Sequence, residues 1–505
     1  MPSIGQILER NARRVPDRTA LVFEDKRYTY ADLDATVNRA AHAIARLGVH
    51  KGDRVALMSP NSDHFIIAYY ALLKLGTIVV PTNVRLTAPE LAYQLEDSGA
   101  RLILYDPSLV TVVQSATEST DVQSFCLSPH DDRPNLSTAL LCENPEPPEV
   151  LVREEDDAQI LYTSGTTGRP KGVLLDHHRV IWTGLNISIG VGLREGDSLL
   201  HVAPLYHSAE LDLFLMGGTY MAATHVVLRE FHPTKVLKML ASHRITAFFG
   251  VPTMYQFMLR EPLLQQLDLS AWRVGMFGAA PMPPSTVTAL SEALPHLVLY
   301  NLAGLTEMGP GGVFLGGEEL RRHPGAAGRP ILNTEARVVN PAFKDVAPGE
   351  VGELVLRGET LMKGYWNNPE ATRQAIRDGW LLTGDLATVD EHGLITLVDR
   401  KKDMIITGGM NVYSVEVENA VLTHPSVADC AVIGVPHPDY GETVTAIVHL
   451  HPGATLTLKG LREHCQPLIA DYKIPRKLLL RPIPRNASGK VLKYQLRQEF
   501  AGAEV

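Results

Sequence analysis

The sequence predicts an α/β protein built on parallel sheets and divided into more than one domain. Three observations carry this expectation. Strand-like and helix-like segments alternate along most of the chain. A charged run near Asp399 separates two self-contained patterns. At 505 residues the chain is also long for a single core.

The segments follow in order. "GDRVALMSP" reads as a buried strand entering a turn at Ser59-Pro60, and "DHFIIAYYALLKLG" has helical apolar spacing that stops at Gly76, a C-terminal cap. "TIVVPTN", "ARLILYD", "ITAFFGVP" and "WRVGMFGAAP" each repeat the strand pattern. Residues 128–149 ("SPHDDRPN…ENPEPPE") are rich in Pro, Asp, Glu and Asn, the composition of a surface linker between two layered subdomains. "GELVLRGETLMKGYW" and "GWLLTGDLATVDEHGLITLVD" suggest short strands with turns. Beyond the charged "RKKDMI" comes an α+β pattern: "SVEVENAVLTH" helical, "VADCAVIGVP" and "ETVTAIVHL" strands, and "LKGLREHCQPLI" helical. The expected division is therefore a large portion over 1–399 and a small C-terminal domain of about 100 residues.

Composition narrows the function. With 45% hydrophobic and 20% charged residues the chain has the profile of a soluble globular protein. Its net charge of −9 argues against a general nucleic-acid binder. The acid-free run Tyr472–Arg497 is the one locally basic stretch, and it leaves that reading minor. Cys126, Cys142, Cys430 and Cys465 are scattered without CxxC spacing, so neither a disulfide framework nor a zinc site is expected. The N-terminus has no secretory signal, and no window reaches the ~18 uncharged apolar residues of a membrane span. A cytoplasmic location is the default expectation.

One stretch carries chemistry. "LYTSGTTGRPKG", Leu161–Gly172, consists mostly of Gly, Ser, Thr and Pro around a single lysine. Gly165 and Gly168 leave backbone N–H groups open to a ligand. Thr163, Ser164, Thr166 and Thr167 add hydroxyls, and Lys171 adds a charge. Such a set suits the oxygens of a polyphosphate. The spacing is not GxxxxGK[ST], because Arg169 and Pro170 follow Gly168 and Gly172 follows Lys171. Composition by itself leaves an unliganded loop equally open.

The stretch resembles the phosphate-loop signature of the adenylate-forming superfamily, which includes acyl-CoA synthetases, nonribosomal adenylation domains and luciferases. Further blocks resemble that family in the same order: "GAAP" at Gly278–Pro281, "GLTE" at Gly304–Glu307, "TGD" at Thr383–Asp385, "DRKKDMIITGG" at Asp399–Gly409 and "PRNASGKVLK" at Pro484–Lys493. The resemblance implies layered parallel-sheet subdomains, a β-rich subdomain, and a mobile C-terminal lid over 403–505 that turns about a hinge at 400–402. It also implies ATP-dependent activation of a carboxylic acid as an acyl-adenylate, followed by thioester formation with CoA. The alternative acceptor is a carrier protein, an amine or nitrite, and a non-catalytic nucleotide binder is a third reading. ATP, Mg2+ and CoA are the implied cofactors, and a small carboxylic acid the partner. No nucleic acid or integral membrane segment is expected, and a homodimer is left open.

Roles carry over by position. The resemblance implies Lys490 as the main adenylation residue, Thr306 as a phosphate hydroxyl and Glu307 as the Mg2+ carboxylate. Gly278, Ala279 and Ala280 are the implied nucleotide strand end. Asp385 would accept from the ribose hydroxyls and Arg400 donate to them, with Lys402 as the hinge residue. Gly408 and Gly409 would line the pantetheine tunnel, where narrowness excludes side chains. His207, in "PLYHSAE", matches a histidine at the junction of acyl pocket and tunnel. Tyr206, Gly250, Val251 and Met308 fall among the implied acyl-pocket positions, which hold no arginine; Leu302 stands where malonate-using relatives carry one. This part resembles medium/long-chain fatty acid and hydroxycinnamate (feruloyl-type) CoA synthetases.

The chain also departs from the pattern. Ala303 stands where relatives place an aromatic ring on adenine, so Tyr300 or the "GAAP" strand is expected to compensate. Ser414 replaces a common proline after "NVY". Glu210 and Asp212 are unusual acids at this place; they are expected to be solvated, or else to meet a hydroxyl- or amino-bearing aromatic acid.

Overall fold

The computed structural model describes residues 2–129, 134–140, 143–163, 169–280, 282–485 and 491–500. By packing, the chain forms two compact units, 1–336 with 356–381, and 337–355 with 382–505.

The first unit is layered α/β. Its nine-stranded sheet runs Arg329–Pro330, Gly312–Gly316, Val298–Gly304, Val274–Gly278, Ala247–Gly250, Ser198–His201, Thr224–Val227, Thr19–Phe23 and Lys26–Thr29. From Val298–Gly304 to Thr19–Phe23 the pairing is parallel throughout. Central strands such as "AFFG" and "VGMFG" are buried along their whole length, as strands covered by helices on both faces must be. Trp272, Tyr255, Phe248 and Phe277 form the aromatic core against this sheet.

A seven-stranded sheet runs Gly364–Tyr365, Lys171–Asp176, Asp157–Thr163, Ile78–Pro81, Arg54–Met58, Leu102–Tyr105 and Gln123–Cys126. The helix Asp63–Lys74 starts on the Ser62 side chain, which accepts from the Phe65 N–H, and Gly76 follows it at φ +66°. Residues 128–149 connect Gln123–Cys126 to Asp157–Thr163, two strands of this one sheet. Part of that connection is tied down: Asn38 Nδ2 donates to the Pro145 carbonyl at 2.7 Å.

The second unit holds residues 337–339, 352–355, 382–389 and 395–400 of an antiparallel sheet. It continues as an α+β body of Ile405–Thr407, Met410–Val412, Val427–His437, Gly441–Leu450 and Lys477–Leu480, with helices Ser414–Leu422, Leu458–Cys465 and Lys493–Phe500. Val417, Val421, Val432, Ala446, Val448, Leu461 and Cys465 form its core. Among the described residues no helix is long and apolar enough to cross a membrane.

One helix of the first unit sets the approach of several others. His177–Gly190 is capped by Asp176, which accepts from the Arg179 N–H, and Thr183 Oγ1 donates to the Gly309 carbonyl at 2.8 Å. Midway, a Cβ on Gly184 would lie 2.8 Å from the Gly217 backbone nitrogen. Alanine at an open helical glycine gains about 1 kcal/mol. Here the backbone contact reverses the sign, so Gly184→Ala is expected to lower stability by about 1–3 kcal/mol, measured by thermal unfolding.

Candidate active site at the carboxyl ends of the parallel strands

Parallel registers bring distant segments to one edge. Gly250 pairs with Phe277, and Gly278 with Leu302, so Gly250–Val251, Gly278–Ala280 and Ala303–Thr306 end side by side. Open α/β sheets bind their ligands at such ends. Gly278 is glycine because a Cβ there would lie 2.4 Å from the Leu302 carbonyl oxygen. Ala279 is exposed and held at φ +66°, a conformation that costs energy for an L-residue and clusters at ligand clamps. Ala280, beside it, is partly exposed.

The "PLYHS" and "GLTE" segments meet through Ser208 Oγ and Thr306 Oγ1, 3.0 Å apart. Glu307 Oε1 accepts from the Tyr365 hydroxyl at 2.9 Å. The Lys171 ammonium lies 4.8 Å from the centre of the same Tyr365 ring, within cation–π range. Thr163 pairs with Lys171 across the strands flanking the Gly/Ser/Thr loop. Tyr365 is the residue the sequence reading missed: it joins the charge of that loop to the carboxylate of "GLTE". Its "KGYW" segment pairs with the strand after Lys171, so only tertiary register places it there. Burial and the Glu307 charge push its phenol well above the usual range, keeping it a donor.

Tyr206 and His207 pack ring against ring, centroids 4.8 Å apart. Burial lowers His207 to about 4, and its Nε2 is buried with no hydrogen-bond partner among the described residues. It is thus a neutral imidazole at pH 7. Burial also raises the Tyr206 phenol to about 12. Met308 is fully buried, and its carbonyl accepts from Thr360 Oγ1 at 2.8 Å.

Tyr300 does not stand in for the missing aromatic at 303. Its ring covers Gly316, where a Cβ would come within 2.1 Å of it, and packs with Leu302 and Phe314 into an apolar cluster. Residues 300 and 303 differ by an odd number along one strand, so they face opposite sides of the sheet.

Glu210 and Asp212 are not solvated. They lie on the π-helical segment Ala209–Leu215 and are 1% and 0% exposed, which overturns the expectation of surface acids. Glu210 Oε1 lies 2.6 Å from His201 Nδ1, His201 Nε2 lies 2.9 Å from His225 Nδ1, and His225 Nε2 lies 3.1 Å from Thr219 Oγ1. Thr219 continues to the Tyr70 hydroxyl at 2.6 Å. On the other side Asp212 accepts from Gln159 Nε2 at 2.7 Å, and Gln159 accepts from the Tyr69 hydroxyl at 2.8 Å. One segment is thereby bonded to strands of both sheets. Burial raises Glu210, raises Asp212 to about 7, and lowers His201 and His225.

In the second unit Asp385 and Arg400 are cross-strand partners, with Arg400 Nε 2.8 Å from Asp385 Oδ1. Lys402 is exposed in the turn after that strand. Gly408 and Gly409, at φ +57° and +78°, are the two central residues of the tight hairpin between Ile405–Thr407 and Met410–Val412. Both need positive φ for this turn type, which explains the glycines by backbone geometry rather than by tunnel width. A Cβ on Gly409 would meet nothing within 4 Å.

Ser164, Gly165, Thr166, Thr167, Gly168 and Lys490 lie outside the described residues. No cluster of three or more His, Cys, Asp or Glu able to hold a metal occurs among the described residues. A single carboxylate, Glu307, fits Mg2+ that arrives on a nucleotide, since this ion takes one or two protein carboxylates and completes its shell with phosphate and water.

The fold and site are those of a nucleotide-dependent acid-activating enzyme. The AMP-binding enzyme model matches residues 8–366, and the AMP-binding enzyme C-terminal domain matches 416–490. The chain is 37% identical to a feruloyl-CoA synthase of Amycolatopsis sp, covering 98% of this chain and 99% of that protein. It is 35% identical to the long-chain-fatty-acid–CoA ligase FadD13 of Mycobacterium tuberculosis, covering 99% of each. Among solved structures it is similar to ATP-bound MatB from Rhodopseudomonas palustris, at 31% identity and TM-score 0.91, covering 99% of each chain. The chain belongs to the AMP-binding enzyme family and is an AMP-forming acid–thiol ligase. CoA, grouped above with the cofactors, is a substrate, because the thioester consumes it.

Two outcomes follow from this geometry. Tyr365→Phe keeps the ring beneath Lys171 and removes the bond to Glu307, so Mg·ATP affinity is expected to fall about 10- to 100-fold, for one lost charge-assisted bond. Tyr365→Leu removes both contacts and should bind more weakly still; isothermal titration measures each. For acid stability, depressed histidines stabilise the fold above their unfolded pKa of about 6.5, and this is lost on acidification. From pH 6.5 to 4.5 the unfolded chain gains protons at His177, His207 and His225, all lowered by burial, whereas folded Asp212 retains one. Glu210 and His201 together hold one proton in either state. The three histidines outweigh Asp212, so stability is expected to fall as pH drops through this range, and His207→Gln should reduce the slope by about 1.4 kcal/mol per pH unit, read from urea unfolding.

Proposed function

We propose that this ligase joins an acid with an apolar aliphatic or aryl tail to AMP, releases pyrophosphate, and passes the acyl group to the thiol of CoA. The observation that carries this reading is the continuous set of contacts Lys171–Tyr365–Glu307 beside Thr306–Ser208 at the carboxyl ends of the strands. A carboxylate is already ionised at pH 7, so the reaction needs no general base. Its barrier is the approach of two anions, lowered by fixed positive charge. Lys171 supplies one cation to the phosphates and Lys490 a second to the α-phosphate and carboxylate oxygens. Thr163, Ser164, Gly165, Thr166, Thr167 and Gly168 donate to phosphate through hydroxyls and backbone. Thr306 adds a hydroxyl, and Glu307 holds Mg2+, which when bound neutralises phosphate charge.

Gly278, Ala279 and Ala280 border the nucleotide, and Asp385 with Arg400 binds the ribose. The domain over 403–505 turns at Lys402 between the two half-reactions and brings Gly408–Gly409 to the CoA tunnel. Neutral His207, beside Tyr206, hydrogen-bonds at the junction of tunnel and acyl pocket without adding charge. The tail lies along Tyr206, Gly250, Val251 and Met308. One oxygen of each of Glu210 and Asp212 is held by His201 and Gln159; the apolar tail is supported by the apolar character of Tyr206, Gly250, Val251 and Met308.

The test is pyrophosphate release over a panel of aliphatic and aryl acids, with and without CoA. Fatty or hydroxycinnamic acids should give the highest rates, with AMP and thioester formed only when CoA is present. Lys490→Ala is expected to slow pyrophosphate release about 100- to 1,000-fold while leaving transfer from preformed adenylate to CoA nearly intact.

A further inference from the structure

Asp399 is the penultimate residue of the strand Ile395–Arg400, just before the turn that contains Lys402, and is only 6% exposed. Its Oδ1 accepts from the Arg400 N–H at 2.7 Å and from Ser414 Oγ at 3.0 Å, while its Oδ2 accepts from the Ser414 N–H. Ser414 is fully buried at the first position of the helix Ser414–Leu422. Its hydroxyl oxygen also accepts from Lys493 Nζ at 2.6 Å, and Lys493 pairs with Glu418 at 2.7 Å. The protons are consistent: Ser414 donates its hydroxyl to Asp399 and accepts from Lys493.

The turn divides this cluster. Ser414, Glu418 and Lys493 lie after Lys402 in the chain, and Asp399 lies before it. Rotation of the backbone at Lys402 carries the three together and leaves Asp399 with its strand. Besides the turn bonds from the Asp403 and Met404 N–H groups to the Arg400 carbonyl, the bonds that must break are the two from Ser414 to Asp399, both to a charged acceptor in a buried setting, where such bonds are strong. Packing agrees, because residues 382–399 belong to the same compact unit as the C-terminal body.

We propose that Ser414 is a positioning residue for the two-step reaction: its bonds to Asp399 latch the backbone at Lys402 in one of its two orientations, so that their loss shifts the balance between the half-reactions. Through Lys493 the same latch anchors the helix Lys493–Phe500. This inference rests on the hinge reading proposed above.

Ser414→Pro is the decisive variant. Proline is favoured at the first helical position, where no intrahelical N–H bond is lost, so the helix tolerates it. It removes both the N–H and the hydroxyl that reach Asp399; Ser414→Ala removes the hydroxyl only. Two single-turnover rates are measured: acid-dependent pyrophosphate release without CoA, and thioester formation from preformed adenylate after CoA is added. For Ser414→Pro the two rates should move in opposite directions, shifting their ratio about tenfold, with a smaller shift in the same direction for Ser414→Ala. A purely structural role would slow both steps by a common factor, and that result overturns the latch. So do two unchanged rates. Wild-type protein that releases no pyrophosphate with any acid overturns the ligase reading and the latch with it; active wild type with an unchanged ratio in the variant overturns the latch alone.

Discussion

The candidate site depends on the parallel pairing of Ala247–Gly250, Val274–Gly278 and Val298–Gly304. Close approaches fix the strand ends: a Cβ on Gly278 would meet the Leu302 carbonyl of the parallel neighbour, and one on Gly304 would lie 2.1 Å from the Pro310 carbonyl, where the chain turns into an antiparallel strand. Because those approaches are so tight, the turns that follow each strand leave from fixed points. Thr306 reaches Ser208, and Glu307 reaches Tyr365, from backbone positions that the sheet has already set.

A second constraint works deeper in the first unit. The π-helical segment Ala209–Leu215 carries two acids into the interior, and one oxygen of each is matched, Glu210 Oε1 by His201 and Asp212 Oδ1 by Gln159, while Glu210 Oε2 and Asp212 Oδ2 have no partner among the described residues. Unpaired, either group would cost several kcal/mol to bury, so the pairs specify one seating of the segment between the sheets. That segment follows directly on His207 and Ser208. The polar network beneath it therefore bears on the geometry above it.

Much of this was legible in order along the chain. "AFFG", "VGMFG" and "DHFIIAYYALLKLG" form the strands and helix their patterns predict, because burial on one or both faces writes itself into local periodicity. Asp385 and Arg400, singled out by their blocks 15 residues apart, turn out to be cross-strand partners. Tyr365 was not legible, since nothing local marks one tyrosine in "KGYW" as the link between Lys171 and Glu307. Glu210 and Asp212 were misread as surface acids because their partners lie on other strands. Tyr300 was credited with a role that strand parity denies it, and Gly408–Gly409 are required by a turn whose type only the backbone angles reveal.

By itself the sequence determined the class of fold, the order of its strands and helices, and the blocks from which the phosphate, metal and ribose roles are proposed. These are local properties: hydrophobic period, turn chemistry, and blocks whose spacing is carried along the chain. Tertiary structure alone decided which groups touch. Tyr365 beneath Lys171, His201 against Glu210, and Ser414 bonded to Asp399 across a turn are all contacts between segments that register and packing bring together. Hydrogen bonds reach only about 3 Å, and no pattern along a chain specifies distance across a sheet to that tolerance.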